Sequence, residues 1–150
     1  MATEVKYEVP ATIVEYLANG DLYPCADGAT ILGDKIDNGA DGENEMLMAL
    51  ELVIGTQGSA RDAGGYVAVY LLPSVDDTTF SYGDDTPLID PGTLLCIFSL
   101  DAATTARTVT RVNLPIPPLD FKLLVENQTG QALGATGNSL SYRLYSYESQ

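Results

Sequence analysis

The chain has 150 residues, 45% of them apolar, and carries 21 acidic against 7 basic side chains for a net charge of −14. That length is about one domain and can bury a sizeable core. With no His, no Trp and only two Cys, it excludes a Ser-His-Asp triad, a Cys-His nucleophile and His-ligated zinc or haem, and its acidity argues against nucleic acid as a partner, because that affinity comes from Lys and Arg on phosphate.

The acid is unevenly placed. Residues 1–100 hold seventeen of the 21 acids and three of the 7 bases, whereas residues 101–150 balance four against four. Solvated acidic loops account for this most simply; an acidic patch for a basic partner is the sharper reading. The start, MATEVKYEVP, is too polar for a signal peptide, and no apolar run approaches the roughly 18 residues of a membrane span. The expectation is a protein made in a cytoplasm, with no membrane partner and with Cys25 and Cys96 as thiols.

In chain order, Thr12–Leu17 and Thr30–Ile36 are weak strand candidates, punctuated by turn signals at Gly20-Asp21 and Asp27-Gly28. Asp34–Glu45 (DKIDNGADGENE) comes nearest to a metal motif. Asp34, Asn38, Gly39 and Glu45 fit the first, fifth, sixth and twelfth positions of a calcium loop, but Ile36 stands where the third ligand belongs and no helix precedes it. A looser calcium site would use Asp37, Asp41 and Glu43. The plainer reading is a solvated loop of turn-forming residues, and no metal or cofactor is expected.

Glu43–Ile54 (ENEMLMALELVI) reads two ways. Leu47, Leu50 and Ile54 sit at helical spacing with Gly55 as a C-cap. As a strand, Met46, Met48, Leu50, Leu52 and Ile54 make one apolar face with Glu51 on the other; the strand is favoured because the neighbourhood is β throughout. Gly65–Pro73 (GYVAVYLLP) and Leu94–Leu100 are apolar at both parities, the pattern of strands buried on two sides. Between them, Asp76-Asp77 and Asp84-Asp85 flank a weak strand, Thr79–Tyr82. Paired carboxylates run glycoside chemistry only at a set separation in space, which sequence does not give. They read as loop aspartates.

Thr108–Leu114 is a further weak strand, and LPIPP (114–118) an extended connection, since its prolines lack ladder donors. Asp120–Asn127 alternates, with Phe121, Leu123 and Val125 on one face and Lys122, Leu124 and Glu126 on the other. In Asn138–Tyr147, Leu140, Tyr142 and Leu144 form an inward set opposite Ser141, Arg143, Tyr145 and Tyr147. Tyr145 and Tyr147 are the candidate interface residues, outer-face aromatics that pack under a loop or meet another subunit. The count is about eight or nine short strands in one domain, the signature of an all-β antiparallel sandwich or barrel.

The run LPIPPLDFKLLVENQTGQALGATGNSLSYRLY (114–145) resembles the closing segment of a group of small structural proteins of tailed bacteriophages. A Pro-Pro connection leads into a Phe-Lys strand, Asn-x-Thr-Gly forms a turn, and Gly-Asn opens a last strand with alternating aromatics. SARDAGGYVAVYLLPSVDD and DKIDN stand upstream in the same order. The resemblance implies a β-sandwich of jelly-roll type in a virion component such as a capsid decoration (cement) protein, which would bind the major capsid protein or another virion protein as a homo-oligomer, often a trimer. It transfers no functional residue, and it leaves residues 1–29 as a candidate N-terminal extension. The competing expectation is a glycan- or receptor-binding module of a phage tail or fibre. No catalytic constellation stands out, so the chain is expected not to be an enzyme.

Overall fold

The computed structural model describes residues 5–7, 11–38, 45–81 and 93–149, the side chains of 5–7, 148 and 149 aside. Within them lie β1 (Val5–Tyr7), β2 (Val14–Leu17), the short helix α1 (Asn19–Leu22), β3 (Thr30–Leu32), β4 (Leu47–Ile54), β5 (Tyr66–Pro73), β6 (Leu94–Ser99), β7 (Arg107–Pro115), β8 (Phe121–Gln128), β9 (Ser139–Tyr145) and β10 (Tyr147–Ser149). The strands pair as a nested antiparallel ribbon: β1 with β10, β2 with β9, β3 with β8, β4 with β7, and β5 with β6. Rolling that ribbon up sets β4 beside β9 and β5 beside β8. The result is two four-stranded sheets in the orders β2-β9-β4-β7 and β3-β8-β5-β6. The fold is an antiparallel β-sandwich of jelly-roll topology.

Binary patterning explains the core. On β4, Met48, Leu50, Leu52 and Ile54 are fully buried and alternate with half-buried partners, so Glu43–Ile54 resolves as a strand from Leu47 onward. Met46, assigned to that inward face, lies before the strand and is 62% exposed. From the facing sheet come Val67, Val69 and Leu71 of β5 and Phe121, Leu123 and Val125 of β8. Leu140 of β9 is buried in the same cluster, with Tyr142 and Leu144 packed against it. Residues 14–29 belong to the sandwich rather than standing apart from it: β2 is an edge strand, and Leu17, Leu22 and Cys25 are core residues.

Four expectations need correction. Leu94–Leu100 buries only one side: Cys96, Phe98 and Leu100 face the core, while Leu94 and Ile97 are 42% and 39% exposed. The reason is position, since β5 is flanked on both sides and β6 ends its sheet. Thr30–Ile36 pairs only to Leu32, and Ile36 returns as an isolated bridge to Phe121. Thr79–Tyr82 yields a bridge from Phe80 to Ser74 rather than a strand; Tyr82 lies outside the described residues. The ladder also runs one residue into the proline segment, because Pro115 pairs with Leu47 at the end of β7, where a missing donor costs little.

Each open side of the sandwich is closed by one side chain. On the side of β2 and β3, the Leu123 N–H donates to the Tyr16 hydroxyl (2.9 Å), which donates to the Asp34 carbonyl (2.7 Å). The hydroxyl fills the gap left where β3 stops pairing. A Cβ on Gly33 would meet that ring at 2.3 Å, so only glycine fits there. Burial pushes the Tyr16 hydroxyl pKa well up. On the side of β6 and β7, Arg111 Nε donates to the Ile97 carbonyl (3.0 Å) and its guanidinium sits 5.7 Å from the Phe98 ring centroid.

Candidate functional site

Among the described residues, buried side-chain polar atoms are hydrogen-bonded, Glu45 Oε2 excepted. Arg61, 2% exposed, donates to the Asp101 carbonyl (3.1 Å), Asp101 Oδ1 (3.0 Å), the Thr105 carbonyl (3.1 Å) and Gln57 Oε1 (3.0 Å). It locks the β4–β5 connection to the β6–β7 connection. Arg107, with Arg61 behind it, holds the Asp101 carboxyl below the usual carboxylate range. Three buried asparagines fasten loops. Asn127 Oδ1 accepts from the Thr129 N–H and hydroxyl, and its Nδ2 donates to the carbonyls of Cys25, Ala26 and Gln131. Asn138 Oδ1 accepts from the Gly55 N–H. Asn38 bonds both ways to the Glu45 backbone and donates to the Pro117 carbonyl. The Asn-x-Thr-Gly and Gly-Asn signatures are therefore loop fasteners.

Among the candidate chemical residues, Asn38 thus ties itself to the Glu45 backbone across the Asp34–Glu45 segment. Residues 39–44, including Asp41 and Glu43, lie outside the described residues. Lys35 bonds the buried Asp120 carboxylate at 2.6 Å and pairs with Asp37 at 3.7 Å. Asp76 caps its own turn, accepting from the Thr78 and Thr79 N–H groups and the Thr79 and Ser74 hydroxyls, which hold its carboxyl far below the usual range. Asp84 and Asp85 lie outside the described residues. Both cysteines are free and buried; burial raises the Cys25 thiol and pushes Cys96 up to about 11.

The two sheets differ on their outer faces. On the second, Ala68, Tyr70, Leu72, Leu124 and Glu126 are all buried, and the Tyr70 hydroxyl donates to Glu126 Oε2 at 2.8 Å. The first is open. At its centre Glu51 pairs with Ser141 on one side and Thr110 on the other, and Ala49 with Arg143. Together with Ile13 these residues line a shallow hollow of about 250 Å³. Val112 (60% exposed) and Ile13 (51% exposed) add uncovered apolar surface.

Tyr145 lies on this outer face but is buried. Opposite Ala49, β7 carries two residues, Val112 and Asn113, in a bulge where Asn113 adopts φ +56°. Its N–H donates to the Tyr145 hydroxyl (2.7 Å), which donates back to Asn113 Oδ1 (2.9 Å). Tyr147, half-exposed, sits on β10 opposite Tyr7, beyond the end of the first sheet. The structure therefore separates the two candidate interface residues, one tied to the bulge and one reaching solvent. Arg143 and Glu51 were not singled out from sequence, although their outward parity was readable in both strands.

No protein-family model and no curated protein matches the sequence. Among solved structures, one of Desmodium yellow mottle tymovirus is 12% identical over 100% of this chain and 89% of that one, with a TM-score of 0.40. The K1 cleaved adhesin domain of Lys-gingipain from Porphyromonas gingivalis W83 is 12% identical over 100% and 99%, at 0.37. CBM32-1 from a family 31 glycoside hydrolase of Clostridium perfringens is 16% identical over 95% and 94%, at 0.30. These likenesses are loose, and the jelly-roll assignment rests on the strand order itself.

Chemically, the open face can adhere. It offers a guanidinium, two carboxylates and hydroxyls around small and apolar side chains.

Proposed function

We propose that this chain is a virion structural protein of a tailed bacteriophage, a capsid decoration (cement) protein that binds the outside of the assembled capsid through surface contacts and performs no catalysis. Its partner is the major capsid protein or another virion protein, and it acts as a homo-oligomer, a trimer by the resemblance, on a particle assembled in the host cytoplasm. The observation that carries the reading is the open outer face of the first sheet, combined with the likeness of residues 114–145 to phage structural proteins. A trimer multiplies a weak contact with the shell without new chemistry. The acidic loops make rim contacts with basic patches on the shell, and these weaken as salt screens them.

The test adds purified protein to capsids that lack it, at low and high salt, and follows binding by sedimentation, with the oligomer sized by light scattering. Co-sedimentation that falls with salt supports the reading. A monomer that never co-sediments yet is retained by a glycan array overturns it in favour of a tail or fibre binding module.

A further inference from the structure

We infer that the outer face of the first sheet is where copies of this chain meet one another, with Arg143 of one copy set against Glu51 or Glu15 of the next. The inference deepens the oligomeric part of the reading above and rests on it.

The charge balance supplies the first reason. Each copy carries −14, so two copies repel wherever their acidic loops approach, and they can associate only across a surface that is locally near neutral. The described outer positions of β2, β9, β4 and β7 include Glu15, Glu51 and Arg143 and are otherwise uncharged: Ser139, Ser141, Tyr145, Leu47, Ala49, Val53, Thr108, Thr110 and Val112. That face holds only −1 of the −14. Opposite charges on one face let neighbouring copies meet cation to carboxylate. Around a closed ring, each copy offers its cation to one neighbour and its carboxylates to the other.

The second reason is the state of Arg143. Other cations with described side chains are engaged within the chain: Lys35 by Asp120, Arg61 and Arg107 by Asp101, Arg111 by Ile97 and Phe98, and Lys122 over the Phe80 ring. Among the described residues, Arg143, Glu15 and Glu51 alone make up this face's charge, and the side chain of none of the three has an ion pair or hydrogen bond.

Shape is the third. Ala49, Ser141 and Thr110 keep the centre low, so a second flat surface can approach, while exposed Ile13 and Val112 supply apolar contact around it. The four strands, of four, seven, eight and nine residues, at about 3.3 Å per residue and about 4.8 Å between strands span roughly 440 Å² before side-chain relief is counted. This is the order of the about 800 Å² per partner in a standard interface.

Sedimentation velocity of the full chain decides the matter. Arg143→Glu and, separately, Ala49→Arg should each weaken self-association by roughly tenfold or more, with an unchanged melting temperature showing that the fold is intact. Combining Arg143→Glu with Glu51→Arg or with Glu15→Arg should restore the oligomer. If the wild type is an oligomer and both single variants keep its size, or if neither double variant regains it, this inference falls while the oligomeric reading stands. Variants that keep the oligomer but lose capsid binding also overturn it, because the face then belongs to the shell contact. A monomeric wild type overturns the inference and the oligomeric reading together.

Discussion

On the second sheet, the side turned away from the core holds Ala68, Leu72 and Leu124 at 1%, 0% and 0% exposure; on the first, the equivalent side holds Ala49, Glu51, Thr110 and Arg143 in reach of solvent. Both sheets are built from the same nested ribbon, and both turn their inner faces into one core cluster. What differs is the second parity of the central strands. In β5 and β8 that parity carries Ala68, Tyr70, Leu72, Leu124 and Glu126, whose one carboxylate is bonded by Tyr70 and by Gln128 Nε2 (2.7 Å). Phe80, returned by the bridge to Ser74, is buried beside Lys122 on the same side. In β4 and β9 it carries Glu51, Ser141 and Arg143. One face is covered; the other is open to solvent.

Substitutions on the covered face break the comparison hardest. Leu72→Ala and Leu124→Ala should each cost about 2–5 kcal/mol in denaturant unfolding, because each empties a closed site. Tyr70→Phe should cost about 1–3 kcal/mol by leaving a buried carboxylate short of a donor. On the open face Tyr145→Phe behaves like a covered-face change, also at about 1–3 kcal/mol, since it strips the Asn113 bulge of both its bonds. Val112→Ala and Thr110→Ala should stay within about 0.5 kcal/mol in the dissociated protein. Equal costs on the two faces would erase the distinction.

The pH dependence sharpens the same contrast. Burial, and the hydrogen bond to Glu126, push Tyr70 up to about 12, and burial pushes Cys96 up to about 11. Both groups are neutral in the folded state at pH values where the unfolded chain ionises them. The stability they contribute is full below the unfolded values of roughly 8.5 for Cys and 10 for Tyr, and it is lost as pH rises to 11–12. Thermal melts should fall steeply over that window, and tyrosine absorbance should show a late step coincident with unfolding. Asp101 and Asp76 act at the other end. Their carboxyls are depressed by Arg107 and by the Thr79 N–H, so their contribution is full above about pH 4 and lost as pH falls through the folded values.

Much of this architecture was legible in the sequence. The alternation of β8 and β9 and the turn residues between them gave strands and faces directly, because a period of two has one physical meaning on a half-buried sheet. β5 and β6 show the limit. Their apolar patterns are alike, yet β5 is central and β6 is an edge, and position in a sheet is a property of the whole ribbon. Arg61 was equally invisible, since its four acceptors come from residues 57, 101 and 105, brought together only by folding. For the candidate site, the outward parity of Tyr145 was readable, but its partner was not, because the bulge at Asn113 shifts register without any proline or glycine to mark it.

Hydroxyl-radical footprinting of the assembled protein against the same protein diluted to monomer reads the open face residue by residue and needs no substitution. If the outer face of the first sheet is the working surface, Ile13 and Val112 lose reactivity on assembly, while Leu94 and Ile97 on the edge strand β6 keep theirs. Unchanged reactivity at Ile13 and Val112, with protection appearing at Leu94 and Ile97 instead, would contradict the account and move the contact to the sheet edge.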